Sequence, residues 1–266
     1  MSRSGQGLPT IVLLTGLGIP AETWWSPPSP DLQEAVMETG TWDERPLLGP
    51  KIANCTRVVS DDRAGIRGGA PPTTGRDLNS FLGELGAVLQ AAAISFPVVL
   101  VGHSLGGLIA YQYGRRFPDR VCGPVLLDSS HPQQAIRFAA RASAAQLVAE
   151  RGEWAEMLDS HPERPDLRET LARTDAALIG DPAPSSLDRL PLAVVSRGVW
   201  TSLEKARTFA PDLIDSQHSG RIRVWNELQA EYVSASDRAR HVRASRSGHD
   251  VYLADPELAL GAVRAV

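Results

Sequence analysis

The sequence predicts a three-layer α/β fold: a mostly parallel central sheet with helices on both faces, interrupted by an inserted helical cap. Three observations predict it. Short β-rich runs alternate with helical patterns from residue 10 to residue 127, the order that builds parallel strands joined by crossover helices. Several of these runs are apolar almost throughout, as in TIVLL at 10–14 and PVVLVG at 97–102, which marks strands buried on both faces. From residue 131 to about 187 the texture changes to alanine, arginine and glutamate with amphipathic spacing, after which strand-like sequence resumes.

Taken in order, the first strand is read over 10–14 and ends at Thr15-Gly16-Leu17-Gly18. The second, 56–60, runs into Asp61-Asp62-Arg63-Ala64-Gly65. A helix follows over 76–93, where Leu78, Leu82, Leu85 and Leu89 recur three or four apart. The third strand, 97–102, leads to Ser104, and a helix over 105–117 stops before Pro118. The fourth, 124–127, ends at Asp128. In the insert, Phe138, Leu147, Trp154, Met157 and Leu158 have helical spacing, with breakers at Pro162, Pro165, Pro182 and Pro184. The sheet resumes over 190–196, a helix is read at 225–233, and 240–244 is a weaker final strand. Pro256 opens a last helix, 257–266, in the first-turn position that suits it. The expected division is a core of 1–130 and 188–266 with a cap of 131–187.

Composition narrows the function classes. A chain of 266 residues suits one core plus an inserted subdomain. A net charge of −4, with basic residues scattered among acidic ones, leaves no electrostatic footprint for nucleic acid or anionic lipid. The first ten residues lack a signal peptide's apolar core, and no apolar run approaches the ~18 residues that span a bilayer. Cys55 and Cys122 do not make a disulfide scaffold and are read as small buried residues. The expectation is a soluble cytoplasmic protein with a small-molecule substrate and no nucleic-acid or membrane partner. Nothing in the sequence sets an oligomeric state.

The chemistry concentrates in Gly102-His103-Ser104-Leu105-Gly106-Gly107, between a buried strand and a helix. That is the setting of a nucleophile elbow. The turn is too sharp for Cβ atoms at Gly102 and Gly106, it lifts the serine hydroxyl above the sheet, and it sets the Leu105 N–H at the positive end of a helix. A serine hydroxyl needs a base to take its proton, and the loop after the last strand offers His249. The Gly16-x-Gly18 pair lacks the third glycine of a dinucleotide site, there is no Walker motif, and no Cys/His cluster has metal spacing. Neither cofactor nor metal is expected. Trp24 and Trp25 are candidates for the wall of the site or for packing under the Pro27-Pro28 loop.

With these motifs the chain resembles the α/β-hydrolase family over nearly its whole length, in its serine-nucleophile, esterase- or thioesterase-like branch. Thr15-Gly16-Leu17-Gly18 is similar to the family's HG-x-G oxyanion loop, with threonine in place of histidine. Asp62-Arg63-Ala64-Gly65 is similar to its D-R-x-G segment, GHSLGG to its elbow, and Ser247-Gly248-His249 to its late histidine motif. The resemblance implies Ser104 as nucleophile, His249 as base, and N–H groups of Leu17 and Leu105 as the oxyanion hole. Asp62 and Arg63 are read as structural ties. The family usually takes its acid from the loop after the strand ending at Ser196, but that loop reads Arg197-Gly198-Val199-Trp200 and holds no carboxylate. A minority of the family takes it one strand earlier, which designates Asp128, with Glu204, Asp212 and Asp215 as alternatives. The implied activity is hydrolysis of an ester or other activated acyl bond through an acyl-enzyme. A cofactor-free lyase, a C–C bond hydrolase and a non-catalytic ligand receptor on the same fold stay open.

Overall fold

The computed structural model describes residues 1–30, 33–34, 36, 46–66, 77–142, 187, 190–209, 211 and 213–266. Seven strands form one sheet: β1 (Ser2–Ser4), β2 (Ile11–Leu14), β3 (Val58–Ser60), β4 (Val98–His103), β5 (Val121–Leu127), β6 (Leu192–Arg197) and β7 (Ala239–Ala244). Their spatial order is β1-β3-β2-β4-β5-β6-β7. β1 runs antiparallel to β3, and every other pairing is parallel.

Alternation along the strands splits the core into two layers. Ile11, Leu13, Val99, Val101, Val125, Leu127 and Val195 point to one face. There they meet α1 (Leu48–Ala53) and, from the C-terminal end, α7 (Val251–Ala254) and α8 (Pro256–Arg264). Val12, Leu100, Leu126 and Val194 point to the other face, against α2 (Leu78–Ala91), α3 (Leu105–Arg116) and Tyr232 of α6 (Asp215–Val233). Each Val or Leu so buried contributes roughly 1.5–3 kcal/mol of transfer free energy. Covering on both faces is why β4 and β5 read as apolar runs, whereas the outermost strand β7 leaves residues 240–243 exposed.

Local chemistry sets the helix ends. Asp77 caps α2 by accepting the Ser80 N–H at 2.7 Å, so this helix starts at Leu78, and Arg76 lies outside the described residues. Asp255 caps α8 in the same way, with Pro256 at its first position. α6 begins ten residues before the expected 225. Its first half is polar and carries a glycine, so no apolar stripe announces it, and its buried stripe includes Gln229. β1 is polar and exposed and gave no strand signal. The expected cap over 131–187 falls mostly outside the described residues. Its first part forms α4 (Gln134–Ala139), whose Phe138 ring stacks 6.3 Å from that of Trp225. A short helix, α5 (Leu203–Phe209), follows β6. The expectation of buried cysteines is corrected: both thiols are free, Cys55 is exposed and Cys122 half-buried, because Cys55 falls in the turn that ends α1. Among the described residues no helix is long and apolar enough to cross a membrane.

Candidate active site

The sheet order creates the site. From β2 the chain moves to β3 on one side, while β4 lies on the other. The loops leaving β2 and β4 therefore part at the carboxyl edge of the sheet, where such folds form a crevice. Ser104 stands there between β4 and α3 with φ 51° and ψ −119°, outside the ordinary range of a residue with a Cβ. Packing enforces this conformation. A Cβ on Gly102 would overlap the Gly106 carbonyl, and one on Gly106 would overlap the Leu14 carbonyl, so β4, α3 and β2 close on the turn at van der Waals distance. The Ser104 carbonyl accepts the N–H groups of Gly107 at 3.0 Å, Leu108 at 3.3 Å and Ser130 at 3.0 Å. Leu105 is the first residue of α3, so its N–H lies at the positive end of the helix.

The loop after β2 lies over the serine. A Cβ built on Gly16 would sit 3.3 Å from Ser104 Cβ and 3.1 Å from His103 Nδ1, so backbone alone fits there. The Ile19 N–H closes a turn onto the Gly16 carbonyl at 3.3 Å, with Gly18 left-handed at φ 65°. Arg63 fixes the loop from outside: Nη1 donates to the Thr15 carbonyl at 2.7 Å and Nη2 to that of Gly16. Asp62 accepts the Ala21 N–H at 2.6 Å. Asp62 and Arg63 thus act as ties that hold the loop through the Ala21 N–H and the carbonyls of Thr15 and Gly16.

His249 lies in the loop between β7 and α7. That loop is bound to the loop after β6, where the Gly198 and Val199 N–H groups both donate to the Ser247 carbonyl at 3.0 Å. The His249 carbonyl accepts from His103 Nε2 at 3.0 Å, and the two rings lie 4.5 Å apart. His103 is fully buried, and burial, followed by the His249 charge, lowers it to about 4, so it stays neutral and donates. Tyr252 and then Trp24 continue this ring row at centroid distances of 5.0 and 4.2 Å. Trp24 is therefore core packing, while Trp25 Nε1 donates to Ser60 Oγ at 2.7 Å.

Asp128 closes β5 with φ 43°, a left-handed conformation that aspartate tolerates. Its fully buried carboxylate accepts four hydrogen bonds. Oδ1 takes Trp225 Nε1 at 2.8 Å and the Arg197 N–H at 3.0 Å. Oδ2 takes His249 Nδ1 and Arg197 Nε, each at 2.6 Å. Burial alone would push this carboxyl up, but the Arg197 charge and the hydrogen bonds from His249 and the Arg197 backbone outweigh it and hold the group at about 2. An ionised carboxylate only accepts, so the Asp128 contact favours a proton on Nδ1 of His249, which leaves Nε2 as the acceptor, while Arg197 Nη2 lies 2.8 Å from the same Nδ1.

The structure thus brings together the loops that bear Ser104, Leu17, Leu105, His249 and Asp128. Among the described residues no hydrogen bond joins Ser104 Oγ to His249. Of the alternative acids, Glu204 and Asp215 are exposed on α5 and α6, and Asp212 lies outside the described residues. Arg197 and Trp225 escaped sequence reasoning. The signal for Arg197 was a cation at a position where a carboxylate was sought, and Trp225 sat unremarked inside a helix. No group of three or more His, Cys, Asp or Glu suited to a metal occurs among the described residues.

A family model described as "Alpha/beta hydrolase family" matches residues 11–262. The Bacillus subtilis (strain 168) protein YqjL is 24% identical over 257 residues, covering 96% of this chain and 82% of that protein. An esterase from Thermogutta terrifontis superposes with a TM-score of 0.58 at 15% identity, covering 99% of this chain and 90% of the other. A probable hydrolytic enzyme from Pseudomonas aeruginosa PAO1 gives 0.64 at 14% identity, covering 99% and 88%.

Proposed function

The chain belongs to the alpha/beta hydrolase family, and on that premise we propose that it is a serine hydrolase cleaving an ester or other activated acyl bond. Ser104 Oγ attacks the substrate carbonyl as its proton passes to His249 Nε2. Asp128 holds the Nδ1–H tautomer and balances the imidazolium. The oxyanion is received by the N–H groups of Leu105 and Leu17, which a helix end and the Arg63-braced loop present without reorganisation. The imidazolium then protonates the leaving group. Water, deprotonated by the same nitrogen, cleaves the acyl-enzyme and returns the proton to Ser104. The substrate is a small cytoplasmic molecule.

The observation that carries this reading is the Asp128–His249 pair at 2.6 Å, delivered from two separate loops beside a serine in a strained turn. A tagged fluorophosphonate tests it, because this reagent reacts with a serine only when a base activates it. The expected result is a single adduct that peptide mass spectrometry places on Ser104, followed by turnover of p-nitrophenyl or thioester substrates in a screen of acyl lengths. An unlabelled wild-type protein, or an adduct on another serine, overturns the proposal.

A further inference from the structure

We propose that Arg197 is a positioning residue of this site: its guanidinium, seated in the corner of two indole rings set at 83° to each other, fixes the Asp128 carboxylate so that Oδ2 is aimed at His249 Nδ1. The inference rests on the reading of Ser104, His249 and Asp128 as a triad. The β5–β6 register pairs Leu127 with Val195, which brings Asp128, just past the end of β5, beside Arg197, the last residue of β6. The Arg197 backbone N–H reaches Oδ1 at 3.0 Å and its Nε reaches Oδ2 at 2.6 Å, so one residue holds both oxygens. The guanidinium carbon lies 4.6 Å from the ring centre of Trp200 and 4.7 Å from that of Trp225. Trp225 closes the arrangement by donating its own N–H to Oδ1 at 2.8 Å. With two donors on each oxygen, the carboxylate cannot rotate without breaking a bond to a group that is itself packed.

An ordinary buried ion pair would need none of this placement. Arg197 Nη2 also lies 2.8 Å from His249 Nδ1, and arginine only donates. Nδ1 therefore has two neighbours that favour opposite tautomers. Asp128 needs the Nδ1–H form, in which Nε2 can take the serine proton. The guanidinium Nη2, already at hydrogen-bond distance from Nδ1 while Nε holds Oδ2, favours the Nε2–H form, which cannot. The anionic Oδ2, at 2.6 Å from Nδ1 against 2.8 Å for Nη2, decides in favour of the productive tautomer for as long as Arg197 Nε and its backbone N–H hold that carboxylate in place. Lysine carries the same charge but lacks the flat fork that stacks and bonds at once.

The test uses the full chain, a tagged fluorophosphonate as probe and ¹⁵N-histidine NMR of His249. Wild type is expected to label at Ser104 and to show a low-field, protonated Nδ1. Arg197→Met should label about 100-fold more slowly, the scale of a misplaced catalytic group, and the Nδ1–H signal should weaken. Arg197→Lys should stay at least about tenfold below wild type, because charge without the fork does not position the carboxylate. Trp200→Leu, at a half-exposed ring that does not touch Asp128, should slow labelling several-fold in a folded protein, and it decides the matter if Arg197→Met does not fold. Wild-type labelling rates in folded Arg197→Met or Trp200→Leu, full recovery in Arg197→Lys, or faster labelling in any of them overturns the inference. A wild type that does not label condemns the hydrolase reading instead, which separates the two failures.

Discussion

Asp128→Asn replaces one oxygen by an NH₂ group at a carboxylate that takes four donors. Whichever way the amide is turned, its NH₂ meets two of them. Turned toward Oδ1 it opposes Trp225 Nε1 and the Arg197 N–H; turned toward Oδ2 it opposes Arg197 Nε and His249 Nδ1. Only the histidine can relieve the conflict, by moving its proton to Nε2 and accepting from the amide. That is the tautomer that cannot deprotonate Ser104, and the expected loss of turnover is up to about 10⁴-fold. Stability falls as well. Arg197 loses its anion while its side chain is only 17% exposed. Removing one member of a buried pair costs about 3–5 kcal/mol. The remaining exposure and the two indoles favour the lower figure, about 3 kcal/mol, which lowers the Tm by roughly 6–12 °C in a protein of this size. Labelling rates, calorimetry and the His249 ¹⁵N spectrum would be measured on the same samples. Less than a tenfold loss of activity with His249 still protonated at Nδ1 would refute the reasoning.

Other expectations follow from the same contacts. Ser104→Ala should abolish labelling and cut turnover by about 10⁴–10⁶ with the fold intact, whereas Ser104→Gly should also raise the Tm by about 2–4 °C, because glycine relieves roughly 1 kcal/mol of net strain at φ 51°; an unchanged Tm would show that the turn is not strained. Arg63→Lys leaves the carbonyls of Thr15 and Gly16 without a fork and should slow labelling roughly tenfold, short of the 10²–10³ for outright loss of an oxyanion donor; a wild-type rate would remove Arg63 from the site. Burial lowers His103 and His131 from 6.5 to about 4, so their neutral forms stabilise the fold above pH 6.5 and that stability is lost as pH falls toward 4. Asp128, held at about 2 against an ordinary 3.8, adds stability above pH 3.8 that is lost toward pH 2. His103→Gln should flatten the Tm–pH curve between 6.5 and 4 and Asp128→Asn the segment below it; unchanged slopes would contradict these assignments.

The sequence by itself determined the layered architecture and the elbow. Both rest on short-range physics: apolar runs such as PVVLVG must be buried on both faces, and Gly102 and Gly106 flank the serine of a strand–helix turn too tight for other side chains at those two positions. Asp77 and Pro256 marked helix starts through local hydrogen bonding and a fixed backbone angle. Where local chemistry is mute the sequence was mute. The polar β1 strand and the first half of α6 carry no periodic signal, because one is an exposed edge and the other buries a stripe that includes a glutamine. The surroundings of Asp128 belong to the tertiary structure alone. Its place at the end of a strand could be read, but its four donors come from positions 197 (which gives two), 225 and 249, which only the β5–β6 register and the packing of α6 bring within 3.0 Å of one carboxylate. Spacing along the chain encodes neighbours within an element. Contacts between elements are set by register and packing, and so an arginine that looked like a missing acid in the sequence stands in the folded chain as the partner of the acid beside it.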